Sequence, residues 1–147
     1  MDGVAEHKRW KGDIEKAANA VAGFPIIADR GLKVSKAFDM LPAEAYLPDN
    51  PTPNDSQTVR VVFIIGPDKK LKLSMTYPMN VGRNFAEVLR ALDALQTANG
   101  KGVATPANWV QGQDVIVPLS LDDAEAEARF GKITKILPYL RYAKLPG

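Results

Sequence analysis

Thr58–Pro78, TVRVVFIIGPDKKLKLSMTYP, decides the fold class. Thr58–Ile65 is apolar almost throughout and reads as a strand covered on both faces. Leu71–Tyr77 alternates, with Leu71, Leu73, Met75 and Tyr77 on one face and Lys72, Ser74 and Thr76 on the other, as in a strand with one solvated face. Between them, Gly66-Pro67-Asp68-Lys69-Lys70 has turn chemistry: proline presets φ, and the aspartate can hydrogen-bond the turn backbone. The stretch predicts an antiparallel hairpin. Arg60 is the one polar break in the apolar run.

Around the hairpin, the sequence mixes helices with extended segments, an α/β pattern. Val4–Val21 predicts a helix, with Trp10, Ile14, Ala17 and Val21 on one stripe, His7 one turn before Trp10, and Gly23 as its stop. Phe24–Asp29, FPIIAD, predicts a short strand, and Gly31–Met40 a short helix closed by Pro42. Pro42–Gln57 is a long loop rich in Pro, Asn and Asp, with Tyr46 and Leu47 as its expected anchors. Asn84 caps a helix to about Thr97, with Glu87 as capping-box partner. The apolar stripe of that helix, Phe85, Val88, Leu89, Leu92 and Leu95, is expected to pack on the hairpin. Beyond Val103 the pattern turns extended, apart from a small helix over Leu121–Phe130 capped by Ser120. The tail from Ile133 is expected to lack a core of its own and to lie on the body or on a second subunit.

Composition removes several chemistries. The chain has 147 residues, one domain's worth, with a net charge of +2 and no cysteine. The small charge gives no support for nucleic-acid binding. No apolar run approaches membrane-spanning length, and the polar N-terminus carries no secretion signal, so a cytoplasmic location is expected. Without cysteine there is no disulfide, no thiolate and no thiol-based zinc site. The single histidine, His7, cannot build a metal cluster, and a Ser-His-acid triad is open only if His7 serves. No cofactor or metal is expected.

Several segments together resemble one-cysteine peroxiredoxins, the thiol peroxidases of antioxidant defence: HKRWKGDIE, FPIIAD, the hairpin stretch, VGRNFAEVLRALDALQ, VATPANW with the following QDVIVP, and the closing YLRY. The resemblance spans roughly residues 2–142. It implies a partial thioredoxin-like α/β fold over residues 1–98 and a C-terminal dimerisation arm over residues 99–147. It also implies thiol-dependent reduction of hydrogen peroxide and organic hydroperoxides. The implied assembly is a homodimer, made by edge pairing of the strand bearing Leu71, Leu73, Met75 and Tyr77. Nothing here matches the family's first segment, which carries two strands, the helix with the peroxidatic cysteine in a Pro/Thr motif, and another strand. The chain therefore looks like an N-terminally truncated member.

By the resemblance, Arg60 matches the family's active-site arginine and Arg83 a second arginine near the same pocket. Read locally, Arg60 is a strand-end residue with its head group in water, and Arg83 a solvated loop arginine. Asp68 matches an acid assigned to a lipase-like triad in some members, although turn chemistry explains it fully and His7 does not occupy the family's histidine position. In the family's sheet, two strands of the unmatched segment separate FPIIAD from Thr58–Ile65. Their loss would open an apolar edge, so marginal stability, a rearranged sheet or completion by another chain is expected. Three functions compete: a peroxidase portion inactive alone, an interaction module pairing with a peroxiredoxin chain, and, well below these, a hydrolase using Asp68.

Overall fold

The computed structural model describes residues 2–42, 49, 55 and 57–145. Tyr46 and Leu47 lie outside the described residues. The chain divides into two compact units, Met1–Val62 with Ser74–Arg83, and Phe63–Leu73 with Asn84–Gly147.

In the first unit, helix α1 spans Val4–Ala18 and ends at Asn19, which takes the left-handed conformation with φ 49°. It stops before Gly23 because asparagine tolerates that conformation nearly as well as glycine. Glu6 accepts from the free Gly3 N–H at 3.1 Å, which ties down its start. No residue of α1 is buried, and Trp10 is exposed. The expected strand at Phe24–Asp29 is not formed. A strand needs a neighbour to take its N–H and C=O groups, and none pairs with it among the described residues. Helix α2, Lys33–Ala37, is shorter than expected. Buried Asp29 holds its start, accepting from Val34 N, Ser35 N and Ser35 Oγ. Those bonds favour the carboxylate and keep its pKa below the ordinary value against the opposing cost of burial.

The hairpin forms as expected. Strand β1 is Arg60–Ile65 and β2 is Leu71–Tyr77, paired in a two-stranded sheet. A five-residue connection is too short for a parallel crossover. Lys69 N donates to Gly66 O at 2.9 Å, closing the turn over Pro67 and Asp68, and Lys69 itself takes φ 59°. However, β1 is half-buried at best rather than covered on both faces, because among the described residues only β2 adjoins it in the sheet.

The second unit holds the densest core. Helix α3, Phe85–Lys101, is capped by Asn84, whose side chain accepts from Glu87 N, and stops at Gly102 with φ 60°. Its expected apolar stripe is not a packed seam. Phe85 is 68% and Leu89 61% exposed, and a cavity of about 570 Å3 lies between Leu92 and Leu95 on α3 and Ile64, Ile65 and Pro67 of the hairpin. The buried residues of α3 are Ala91 and Ala94.

Ala94 joins a core made mainly of the C-terminal segment, Val103, Trp109, Val115, Val117, Ala126, Phe130 and Ala143, in which Ala143 is the contribution of the tail from Ile133. A three-stranded sheet and two helices assemble it. Strands β3 (Val115–Ile116), β4 (Ile133–Leu137) and β5 (Leu140–Ala143) form an antiparallel sheet in the order β3-β5-β4. Helix α4, Asp123–Phe130, starts two residues later than expected. Asp122 rather than Ser120 caps it, because Asp122 and Glu125 exchange reciprocal bonds of 2.8 and 2.9 Å. The tail needed few apolar residues, since α3 supplies one wall and small alanines allow close approach.

Candidate functional site

Arg60 opens β1, and its side chain is positioned rather than loose. Nε donates to Met79 O at 2.7 Å, which draws the guanidinium onto the turn after β2. The two Nη nitrogens have no partner among the described residues, and the residue is exposed. Arg83 is half-buried, four residues after Met79 on the same loop, and makes no hydrogen bond or ion pair among the described residues. The loop from Pro78 to Arg83 thus carries one arginine and anchors the other. This is a cationic, donor-rich surface, suited to an anion or a developing oxyanion.

Asp68 sits in the hairpin turn. Its carboxylate accepts from Lys70 N at 3.3 Å and from Lys72 Nζ at 2.8 Å. The lysine bond is the main reason its pKa falls below the ordinary value. His7, on α1, is half-buried, and its Nδ1 is shielded without a hydrogen-bond partner among the described residues. Leu73, Met75 and Tyr77 are half-buried and Leu71 is 58% exposed; apart from β1, no strand adjoins β2 among the described residues. No group of three or more His, Asp and Glu side chains among the described residues is placed to hold a metal ion.

Two polar clusters escaped sequence reasoning. Glu87 grips Arg90 with two bonds of 2.6 and 2.8 Å, and Arg90 Nη1 donates to Trp109 O at 3.0 Å, tying α3 to the turn at Trp109. Glu87 therefore serves Arg90 and not the expected capping box. The Arg90 bond lowers the pKa of Glu87. The spacing of three was a legible helix-pair signal; the tie to Trp109 was not.

Arg141, in YLRY, is only 4% exposed. It donates to Pro118 O, Leu121 O and Asp123 Oδ1 at 2.8, 2.6 and 2.8 Å, while its Nε is buried without a partner among the described residues. Lys135 also reaches Asp123, at 2.5 Å. An arginine between two tyrosines gave no sign that it closes the joint between β5 and the start of α4.

Residues 94–132 match the family model described as the C-terminal domain of 1-Cys peroxiredoxin. The chain is 45% identical over 145 residues to Peroxiredoxin PRX1, mitochondrial, of Saccharomyces cerevisiae, covering 98% of this chain and 55% of that protein. It is 45% identical over 161 residues to mouse Peroxiredoxin-6, covering 99% of this chain and 68% of that one. Among solved structures, a cysteine-to-serine mutant of Peroxiredoxin 6 from Arenicola marina matches with a TM-score of 0.86 at 40% identity, over 99% of this chain and 67% of that one. The chain spans a little over half the length of the yeast relative and about two thirds of the other two. The helices and strands above are thus a partial thioredoxin-like fold with a C-terminal extension. The likeness runs from the α1 region through the sheet of the arm, and by it the chain belongs to the one-cysteine peroxiredoxin family.

Proposed function

We propose that this chain is the arginine-bearing and C-terminal portion of a thiol-dependent peroxidase that reduces hydrogen peroxide and organic hydroperoxides, and that it is inactive alone. The observation that carries the reading is the fixed Arg60. Its Nε is held by Met79 O, and its outer fork has no partner among the described residues, beside the loop of Arg83. Such a fork favours a neighbouring thiolate over the thiol and stabilises charge growing on the departing peroxide oxygen. The thiolate itself has no source in residues 1–147, which contain no cysteine. Asp68 is spent on its turn and on Lys72, so it adds no support to a hydrolase. The division into residues 1–98 and 99–147 is part of the proposal, as one of homology rather than of packing, and so is a cytoplasmic location; the yeast relative's name says mitochondrial. A peroxide-consumption assay with the pure chain and excess thiol reductant should show no turnover above buffer; measurable turnover overturns the reading.

A second reading rests on β2, which has one neighbour strand among the described residues and a partly apolar face of Leu71, Leu73, Met75 and Tyr77. An edge of that kind invites another strand. In this reading the chain pairs with itself or with a full-length peroxiredoxin chain. Native mass spectrometry of the chain mixed with such a relative should show mixed dimers; strictly separate species count against it.

A further inference from the structure

Peroxide has sulfur to act on in this chain even without cysteine, because four methionines remain. Met40, Met75 and Met79 lie among the described residues, and the structure ranks them. Met40, just beyond α2, is half-buried. Met75, on β2, is half-buried as well, and the Tyr77 hydroxyl donates to its Sδ at 4.0 Å, which draws on a lone pair that attack on a peroxide needs. Met79 is 40% exposed in the turn after β2, and its sulfur has no hydrogen-bond donor among the described residues. Its neighbour sets it apart further. The Met79 carbonyl accepts from Arg60 Nε at 2.7 Å, while the two Nη nitrogens of Arg60 have no partner among the described residues. An open thioether and an unpartnered donor fork thus meet at one contact, inside the first unit.

We propose that Met79 is a peroxide-oxidised switch, whose sulfoxide oxygen accepts from the Arg60 Nη fork and withdraws that fork from any anion. In the oxidation, the Sδ lone pair attacks one peroxide oxygen, an S–O bond forms and the O–O bond breaks. Sulfur loses two electrons and the peroxide gains them. The departing oxygen takes up, through water, the proton left on the sulfur-bound oxygen. It leaves as water or, from an organic hydroperoxide, as an alcohol. A weakly accepting thioether has become a polar sulfoxide. The new acceptor arises on the residue that already holds Nε, so one guanidinium then bonds both the backbone and the side chain of Met79. Methionine sulfoxide is enzymatically reducible, which makes the closure reversible. The inference rests on the proposed peroxide chemistry at Arg60 for its oxidant.

The test treats the full chain with hydrogen peroxide, stops the reaction with catalase and maps each methionine by peptide mass spectrometry. Met79 should oxidise at least about fivefold faster than Met75 and Met40. Phenylglyoxal labelling, read on the Arg60 peptide, follows the fork. It should slow at least about threefold after oxidation and recover when methionine sulfoxide reductases restore the thioether. In Met79→Leu, peroxide should leave the labelling of Arg60 unchanged. The reductase arm uses the unaltered chain, so the test survives if Met79→Leu fails to fold. Met79 oxidising no faster than Met75 or Met40 overturns the inference. So does Arg60 labelling that is indifferent to Met79 oxidation, or that slows equally in Met79→Leu. Peroxide turnover by the chain would overturn the proposed function instead, and the oxidation map is read separately from it.

Discussion

The segment from Val103 to Leu145 and the segment from Val4 to Asp29 make an instructive pair. Both carry apolar residues at helix or strand spacing. In the arm, Trp109, Val115, Val117 and Ala126 are 0–1% exposed. In the first segment α1 buries nothing, while Phe24 and Ile27 remain 62% and 69% exposed. Apolar content does not separate them; the supply of partners does. In the arm β5 has a strand on each side, α4 covers the sheet, and α3 lends Ala94. FPIIAD has no strand beside it among the described residues, so no ladder takes up its N–H and C=O groups, and Phe24 and Ile27 stay toward solvent although Asp29 is buried at the start of α2. Burial is a property of an arrangement, and a sequence period only nominates candidates for it.

The sharpest way to break this comparison is paired truncation. Trp109→Ala should destabilise the arm by about 3–5 kcal/mol, since it removes a fully buried aromatic from a small core. Phe24→Ala should change stability by no more than about 0.5 kcal/mol. Urea unfolding of each variant decides it. Similar losses in the two would mean that Phe24 is buried in solution and the contrast is false. Hydrogen exchange sharpens the same point: amides of β5 and α4 should be protected close to the global limit, and those of α1 should exchange through local opening.

Arg141 is the next largest effect. Arg141→Met keeps an apolar stem but strips Pro118 O, Leu121 O and Asp123 Oδ1 of their donor, leaving Asp123 with Lys135. Asp123 is half-exposed and can return to water, so the cost falls below that of a fully buried pair, at about 2–3 kcal/mol. A loss under 1 kcal/mol in urea would show that the arm's core holds without its polar lock.

Much of this was legible. The hairpin turn, the Asn84 cap and the start of α1 followed from local chemistry, and the family from segments such as TVRVVFIIGPDKKLKLSMTYP and VATPANW. The missed features share one physical origin: each depends on what lies across space. Asp122 won the α4 cap from Ser120 only because Glu125 could return the bond. FPIIAD looked like a strand by composition and lacked a neighbour. How the tail from Ile133 meets the rest of the arm was equally hidden: alanines at 94, 126 and 143 let these elements approach closely enough to bury Trp109. For the site, Arg60 stood out as a break in an apolar run, but its tie to Met79 O was invisible, as no spacing rule links residues nineteen apart.

The smallest expected effect is on the pH dependence of the arm. Hydrogen bonds from Lys135 and then Arg141 hold the Asp123 carboxyl below its ordinary pKa. A group whose folded pKa is depressed adds stability above its unfolded pKa of roughly 4, and that stability is lost as pH falls through the folded value. The arm should therefore lose thermal stability progressively below about pH 4, while staying level between about pH 5 and 8. Asp123→Asn removes the titrating group, so the variant should start less stable near neutrality and flatten the acid limb. Melting followed by Trp109 emission in a Trp10→Phe background from pH 3 to 7 measures it; an acid limb unchanged by Asp123→Asn would shift the acid sensitivity to other carboxylates, with Glu87, held low by Arg90, the next to test.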